Sequence, residues 1–283
     1  MSNIAYLGTG LLGSGLAEAA AKRGDKVTVW NRTIDKARAL ERFGARVAQT
    51  PADAVRGVER VHLVLKDDAV VEDVIAAMRP GLDPKAIVVD HTTTLPALTA
   101  ARATRLNAEG VRYIHCPVFI GPAAARQGKG AILAAGPRAI FDEIRDALEA
   151  MADRVEYFGE RPDLAAVFKI CGNAVIIGVS GISADVLAVS GGAGVSPDEA
   201  MRVFEFLDVG AMLAGRTKNM IAQNFAPSFE LTMARKDVGL MIKTAEPRPL
   251  AMLSGIAARM DALIADGHGA DDVAVLGIAP GNG

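Results

Sequence analysis

Cysteine is nearly absent from this chain. Two residues in 283, Cys116 and Cys171, cannot build a disulfide framework. None of the four histidines stands at metal-ligand spacing from either cysteine, so no metal site is expected. That composition suits a reducing cytoplasm. An excess of one charge is missing as well: 31 Lys and Arg face 33 Asp and Glu, a formal net charge of −2. A nucleic-acid-binding surface carries a basic excess or stripe, so no nucleic-acid partner is expected, and the short run Lys66-Asp67-Asp68 reads as solvated surface. The N-terminus runs straight into a strand-like segment, Asn3 to Leu7, without the basic region or cleavage site of a secretory signal. Uninterrupted apolar runs are lacking too. The longest, Ala174 to Val189, is broken by Gly178, Gly181 and Asp185 and reads as a buried core helix rather than a membrane span.

What is present is 51% hydrophobic residues with 23% charged, enough apolar mass for two globular domains. Short β-branched runs alternate with Ala-rich helical ones. Strands are expected at Ile4–Leu7, Lys26–Trp30, Arg60–Leu65 and Ala86–Val89, with helices at Leu11–Lys22, Lys36–Phe43 and Val70–Met78. Such alternation implies crossover units and a doubly wound parallel sheet. Runs at Tyr113–Val118, Ala131–Ala135 and Val155–Phe158 are expected to extend that sheet. From Asp163 onward only helical stretches follow: one to about Ser190, ended by Gly191-Gly192, and a second capped by Ser196-Pro197-Asp198-Glu199. The expected architecture is α/β, a Rossmann domain over 1–161 followed by an all-helical domain over 162–283, with Arg161-Pro162 at the boundary. The Gly/Pro-rich tail after Leu276 is expected to fray.

Gly8-Thr9-Gly10-Leu11-Leu12-Gly13 joins the first strand to the first helix. In that setting the glycines serve a tight turn, close backbone approach to a pyrophosphate and close helix–strand packing, while the helix N-terminus offers its N–H groups to the anion. After the second strand an NAD site places a carboxylate for the ribose 2′-hydroxyl. This chain has Asn31-Arg32-Thr33 there, with Lys36 one turn on. Arginine's permanently charged fork suits a 2′-phosphate, so the residues favour NADP over NAD.

By its motifs the chain resembles the β-hydroxyacid dehydrogenase family from Ile4 to about Ile264. The markers are the fingerprint with Asn31-Arg32-Thr33, then Asp90-His91-Thr92-Thr93 with Pro96, Pro117-Val118…Gly121, Lys169…Asn173 and Lys236-Asp237. The resemblance implies a dehydrogenase moving hydride between the nicotinamide and a small carbonyl or hydroxy-acid substrate. It implies that Lys169 is the general acid/base, with Asn173 beside it on one helix face. It also implies that Leu65, Lys66, Thr93 and Lys236 line the cofactor, and that Pro117, Val118, Phe119, Ile120, Gly121 and Asp237 face the substrate.

One segment departs from the family pattern. Where relatives carry Ser-Gly-Gly to hold a substrate carboxylate, this chain has Phe119-Ile120-Gly121, which predicts a drier pocket and a larger or less polar carbonyl compound. Two alternatives stand beside this reading: an imine reductase, which would replace the lysine with Asp or Tyr, and a non-catalytic NADP-binding sensor or scaffold. The long helix from Asp163 is expected to link the domains and carry Lys169. The apolar helical domain is expected to form a homodimer or homotetramer interface.

Overall fold

Six strands form one wholly parallel sheet: β1 (Asn3–Leu7), β2 (Lys26–Trp30), β3 (Arg46–Val47), β4 (Arg60–Leu63), β5 (Ile87–Asp90) and β6 (Arg112–His115), ordered β3-β2-β1-β4-β5-β6. The computed structural model describes residues 1–278, and the extreme tail lies outside them. Side chains alternate across each strand, and both faces are covered. Ile4, Tyr6, Val29, Val89 and Ile114 share a core with α1 (Leu11–Lys22). On the other face lie Ala5, Leu7, Val61, Leu63 and Val88. The chain continues through α2 (Ile34–Arg38), α3 (Pro51–Ala54), α4 (Asp68–Met78) and α5 (Pro96–Ala108). Of these, α4 and α5 close the second face with Val71, Val74, Ile75, Ala103 and Leu106. The strand order reverses between β1 and β4, which in such sheets opens a crevice at their carboxyl ends. Gly8 follows β1 and Leu65 follows β4, so the fingerprint stands at that crevice.

Two expectations are corrected. The segments after β6 do not extend the parallel sheet. Instead β7 (Val118–Phe119), β8 (Ala131–Ala134) and β9 (Arg154–Tyr157) form a second, three-stranded sheet. Within it β7 and β8 are antiparallel, β8 and β9 parallel. Pro117 supplies no N–H where the chain leaves β6, and the link from β7 to β8 holds only the four-residue α6 (Pro122–Ala125). A parallel return needs a longer crossover of about a dozen residues, which α7 (Arg138–Glu149) provides before β9. The segment expected as one helix over Lys36–Phe43 is also broken, into α2 and a 3₁₀ turn over Glu41–Phe43.

The long helix α8 runs from Leu164 to Gly192. Chain compactness places its beginning with the sheet: one unit is Met1–Asn173, the other Ala174–Gly283. The boundary therefore falls inside α8, beyond Arg161-Pro162, because Leu164 and Ala165 pack with Leu133 and Ala135 of the first unit. The reading of Ala174–Val189 as a buried core helix is overturned. The most apolar stretch of α8 is 11% buried within the chain, and by length and composition alone the helix could cross a membrane. Val175, Ile176, Ile177 and Val179 are exposed, Ile177 at 70%. A helix apolar on every side has more surface to bury than one neighbouring layer covers.

In the second unit Ser196 caps α9 (Pro197–Ala200) through a capping box with Glu199. Helices α10 (Val203–Phe206), α11 (Val209–Ile221), α12 (Leu231–Ala245) and α13 (Leu253–Leu263) follow. Leu231, Ala234, Val238, Leu253, Ala257 and Met260 make its core. Asp185 of α8, fully buried, accepts N–H bonds from Ala251, Met252 and Leu253 at 2.5, 3.0 and 2.8 Å. Burial raises the pKa of such a carboxyl, but these three donors at the head of α13 outweigh it and hold Asp185 below its ordinary range.

Candidate active site

The turn after β1 is built around close contacts. Gly8 has φ +101°, and a Cβ on it would meet the Val64 carbonyl oxygen at 2.2 Å. A Cβ on Gly13 would meet the Gly8 carbonyl oxygen at 2.0 Å, so α1 packs directly onto the turn. Gly10 has open space instead, with nothing within 4 Å of a Cβ. Helix α1 starts there with no side-chain cap and no acidic residue in its first turn. Its leading N–H groups are left for an anion, and the buried Thr9 hydroxyl beside them has no partner among the described residues. A pyrophosphate fits these donors. Leu11 is exposed while Leu12 packs on the core.

Asn31 works inward. Its Oδ1 accepts from Thr9 N at 3.0 Å and its Nδ2 donates to the Thr33 carbonyl at 2.9 Å, fastening the fingerprint to the end of β2. Arg32, Thr33 and Lys36 remain exposed, and Arg32 and Lys36 have no ion pair among the described residues. The nearby carboxylate of Asp35 is occupied by Arg38 at 3.0 Å. A cleft of ≈340 Å³ between α1 and α2 is lined by Lys36, Arg42 and Arg126, the last paired with Glu18 at 2.8 Å. Beyond β4, Leu65 N donates to Thr92 Oγ1 at 3.1 Å, which leaves Thr93 as the exposed hydroxyl of the pair. Lys66 projects into solvent beside Asp67 at 3.5 Å.

Lys169 sits on the part of α8 that belongs to the first unit, and it is 8% exposed. Its Nζ donates to Asn173 Oδ1 at 2.9 Å, as residues one helical turn apart can. It also lies 4.0 Å from the centroid of the Phe119 ring. Burial holds the Lys169 ammonium below the ordinary lysine pKa. Room for the Phe119 ring exists because residue 172 is glycine: a Cβ there would be 2.3 Å from Phe119 Cζ. Phe168 stacks on Phe158, centroids 4.2 Å apart, and fixes this end of the helix.

A family profile described as the NAD binding domain of 6-phosphogluconate dehydrogenase matches residues 3–159, more than half of the chain. The chain belongs to this family and is an NAD(P)-dependent oxidoreductase. Among its relatives is glyoxylate/succinic semialdehyde reductase 1 of Arabidopsis thaliana, 27% identical over 88% of this chain and 87% of that protein. The cytokine-like nuclear factor N-PAC of Homo sapiens is 28% identical over 88% of this chain, which spans 46% of that longer protein. A solved imine reductase from Myxococcus stipitatus in complex with NADP+ shares the fold, with TM-score 0.87, 22% identity and coverage of 97% and 98% of the two chains.

The segment expected to face the substrate is divided. Val118 and Ile120 turn into the core, and Pro117 is buried with them. Strand alternation sends Phe119 to the opposite face, toward Lys169. Ile120, expected to face the substrate, is 9% exposed and fills the core. Gly121 is exposed at the head of α6. Lys236 and Asp237 form an ion pair of 3.0 Å on α12 of the second unit. A buried polar group went unread in the sequence. Asp90 accepts from Tyr113 OH at 2.7 Å and from Thr92 N at 2.9 Å, and His62, His91 and the Cys116 carbonyl form a hydrogen-bonded row of 2.9 and 2.7 Å. Its signal was polar residues, His62, Asp90 and Tyr113, inside otherwise apolar strands.

Proposed function

We propose that this oxidoreductase uses NADPH to reduce a carbonyl compound, or NADP+ to oxidise the corresponding hydroxy compound, with Lys169 as the general acid/base. The carrying observation is the buried lysine held by Asn173 at 2.9 Å. When bound, the cofactor supplies a hydride to the carbonyl carbon. The chain's own work is the proton. Lys169 Nζ gives one to the carbonyl oxygen and is left as a neutral amine, which water reprotonates. Asn173 Oδ1 fixes where the donor points. A desolvated lysine suits this role, because proton transfer is most effective when the donor's pKa approaches the working pH.

NADP is the preferred cofactor in this reading. Among the described residues Arg32 and Lys36 are unpaired at the end of β2, and Arg38 pairs with the Asp35 carboxylate that would oppose a phosphate. The substrate is a carbonyl or hydroxy-acid compound with an apolar flank, since Phe119 is the member of its segment that borders Lys169. The retained lysine favours carbonyl chemistry over imine reduction and over a non-catalytic role. The exposed apolar surface of α8 and of α11, including Ile177, Val179, Met212 and Leu213, is covered by a second copy in a homodimer or dimer-based tetramer. Light scattering of a dilute monomer would overturn that assembly.

The deciding experiment is Lys169→Ala assayed by NADPH oxidation across semialdehydes, 2-oxo acids and cyclic imines. Turnover on the best substrate should fall by ~10²–10⁴-fold with NADPH affinity unchanged. Near-normal turnover would refute the assignment, and activity confined to cyclic imines would replace it with the imine-reductase reading.

A further inference from the structure

Most of what surrounds Lys169 is apolar. Its Nζ has one hydrogen-bond partner, the neutral amide of Asn173, and no carboxylate within ion-pair distance among the described residues. Charged groups on the neighbouring elements are engaged elsewhere. Arg154 pairs with Glu156 on β9, Arg161 with Asp163 ahead of α8, and Glu160 is exposed. Cys171, also on α8, is exposed. Yet a buried ammonium without any counter-group is costly. The group that meets it is the face of Phe119, 4.0 Å from Nζ to the ring centroid. Aromatic faces carry the negative lobe of a quadrupole, and a cation within ~6 Å of the centroid is stabilised by it.

The placement of the ring is built into the helix. Lys169, Gly172 and Asn173 lie on one face of α8, spaced three and four residues apart. A Cβ on residue 172 would lie 2.3, 3.0 and 3.1 Å from three ring atoms of Phe119. The ring therefore occupies the volume that any side chain other than glycine would claim. Leu133 and Ala135 pack with it from the second sheet and its edge, and Ala165 from the first turn of α8.

We propose that Phe119 is a positioning residue for the proton donor: its ring, seated on Gly172, holds the Lys169 ammonium in place and favours its charged form. Phe119 and Gly172 act as one device, and Phe119 takes the place of a polar substrate clamp because it serves the lysine rather than the substrate's anion. This inference rests on Lys169 being the proton donor.

The test is the pH dependence of kcat/KM for carbonyl reduction at saturating NADPH. Reduction needs the ammonium, so activity falls as pH rises through the Lys169 pKa. Phe119→Leu keeps apolar cover but removes the quadrupole. The alkaline limb should move to lower pH by ~0.5–1.5 units, which at ~1.4 kcal/mol per unit matches a desolvated cation–π contact. Gly172→Ala, which displaces the ring without touching a polar group, should move the limb in the same direction. A pentafluorinated phenylalanine at position 119 keeps the shape and reverses the quadrupole, so it should give the largest shift and covers the case in which either other variant fails to fold. A limb unmoved in the fluorinated protein, with Lys169→Ala inactive, would overturn the role of Phe119 alone. An active Lys169→Ala would overturn the donor assignment and this inference together.

Discussion

Acidification should destabilise this protein through a pair of buried histidines. His62 Nδ1 and His91 Nε2 are 2.9 Å apart, both rings buried, and His91 Nδ1 lies 2.7 Å from the Cys116 carbonyl oxygen. A carbonyl only accepts, so His91 Nδ1 carries a proton and its Nε2 accepts from the N–H of His62. Both rings are then neutral, and an added proton has no acceptor in the row. Burial is the main cause that pushes His91 down from 6.5 to about 4, against the Cys116 bond, which favours the charged form. His62 is pushed well below its ordinary value too, first by burial and then by His91. With the folded pKa below the unfolded one, the unfolded chain binds more protons in between, so this contribution is intact above about 6.5 and is lost as pH falls toward 4. Each pH unit is worth ~1.4 kcal/mol, so His91 alone accounts for about 3 kcal/mol at full protonation and about 2 kcal/mol between pH 7 and pH 5. Urea unfolding at those two pH values measures the loss. His91→Asn keeps a donor for Cys116 and removes the titration, so its loss over the same interval should be smaller by about 2 kcal/mol. Equal losses in the two proteins would refute the neutral-pair reasoning.

Arg32→Ala should weaken NADPH binding by ~10–100-fold, the worth of a charge-assisted hydrogen bond, while NADH binding changes little; calorimetric titration with each cofactor distinguishes them. Gly13→Ala forces a Cβ to 2.0 Å from the Gly8 carbonyl; it should cost ~1–3 kcal/mol in thermal unfolding and cofactor affinity with it. Asp185→Asn leaves at most one acceptor oxygen for the three N–H groups at the head of α13. It should destabilise the protein by ~2–3 kcal/mol, and hydrogen exchange should show the loss at Ala251–Leu253 first.

The parallel sheet and its fingerprint were legible because they rest on local signals: β-branched runs, a glycine spacing, and a helix start directly after a strand. Lys169 and Asn173 were singled out only by resemblance, since four-residue spacing on a helix says nothing of burial. The second sheet was misread because β7, β8 and β9 look locally like the strands before them; Pro117 and the shortness of α6 decide their direction. Burial of α8 was misread for a related reason. Apolar content shows that a surface has to be covered, but not whether the cover comes from the same chain. Phe119 was singled out as a departure, whereas its contact with Gly172 joins residues far apart in sequence and could not be read from either.

The division between the two units falls immediately after Asn173, inside a continuous helix. The fingerprint, the basic residues after β2, Phe119, Gly172, Lys169 and Asn173 thus all belong to the first unit. A recombination joint placed just beyond Asn173 would transfer the glycine fingerprint together with Lys169, Asn173 and the Phe119 ring seated on Gly172. The remaining 110 residues can then be exchanged among relatives without separating those side chains from one another. For a protein of this architecture, that makes the first turns of one helix the natural seam for building chimeras.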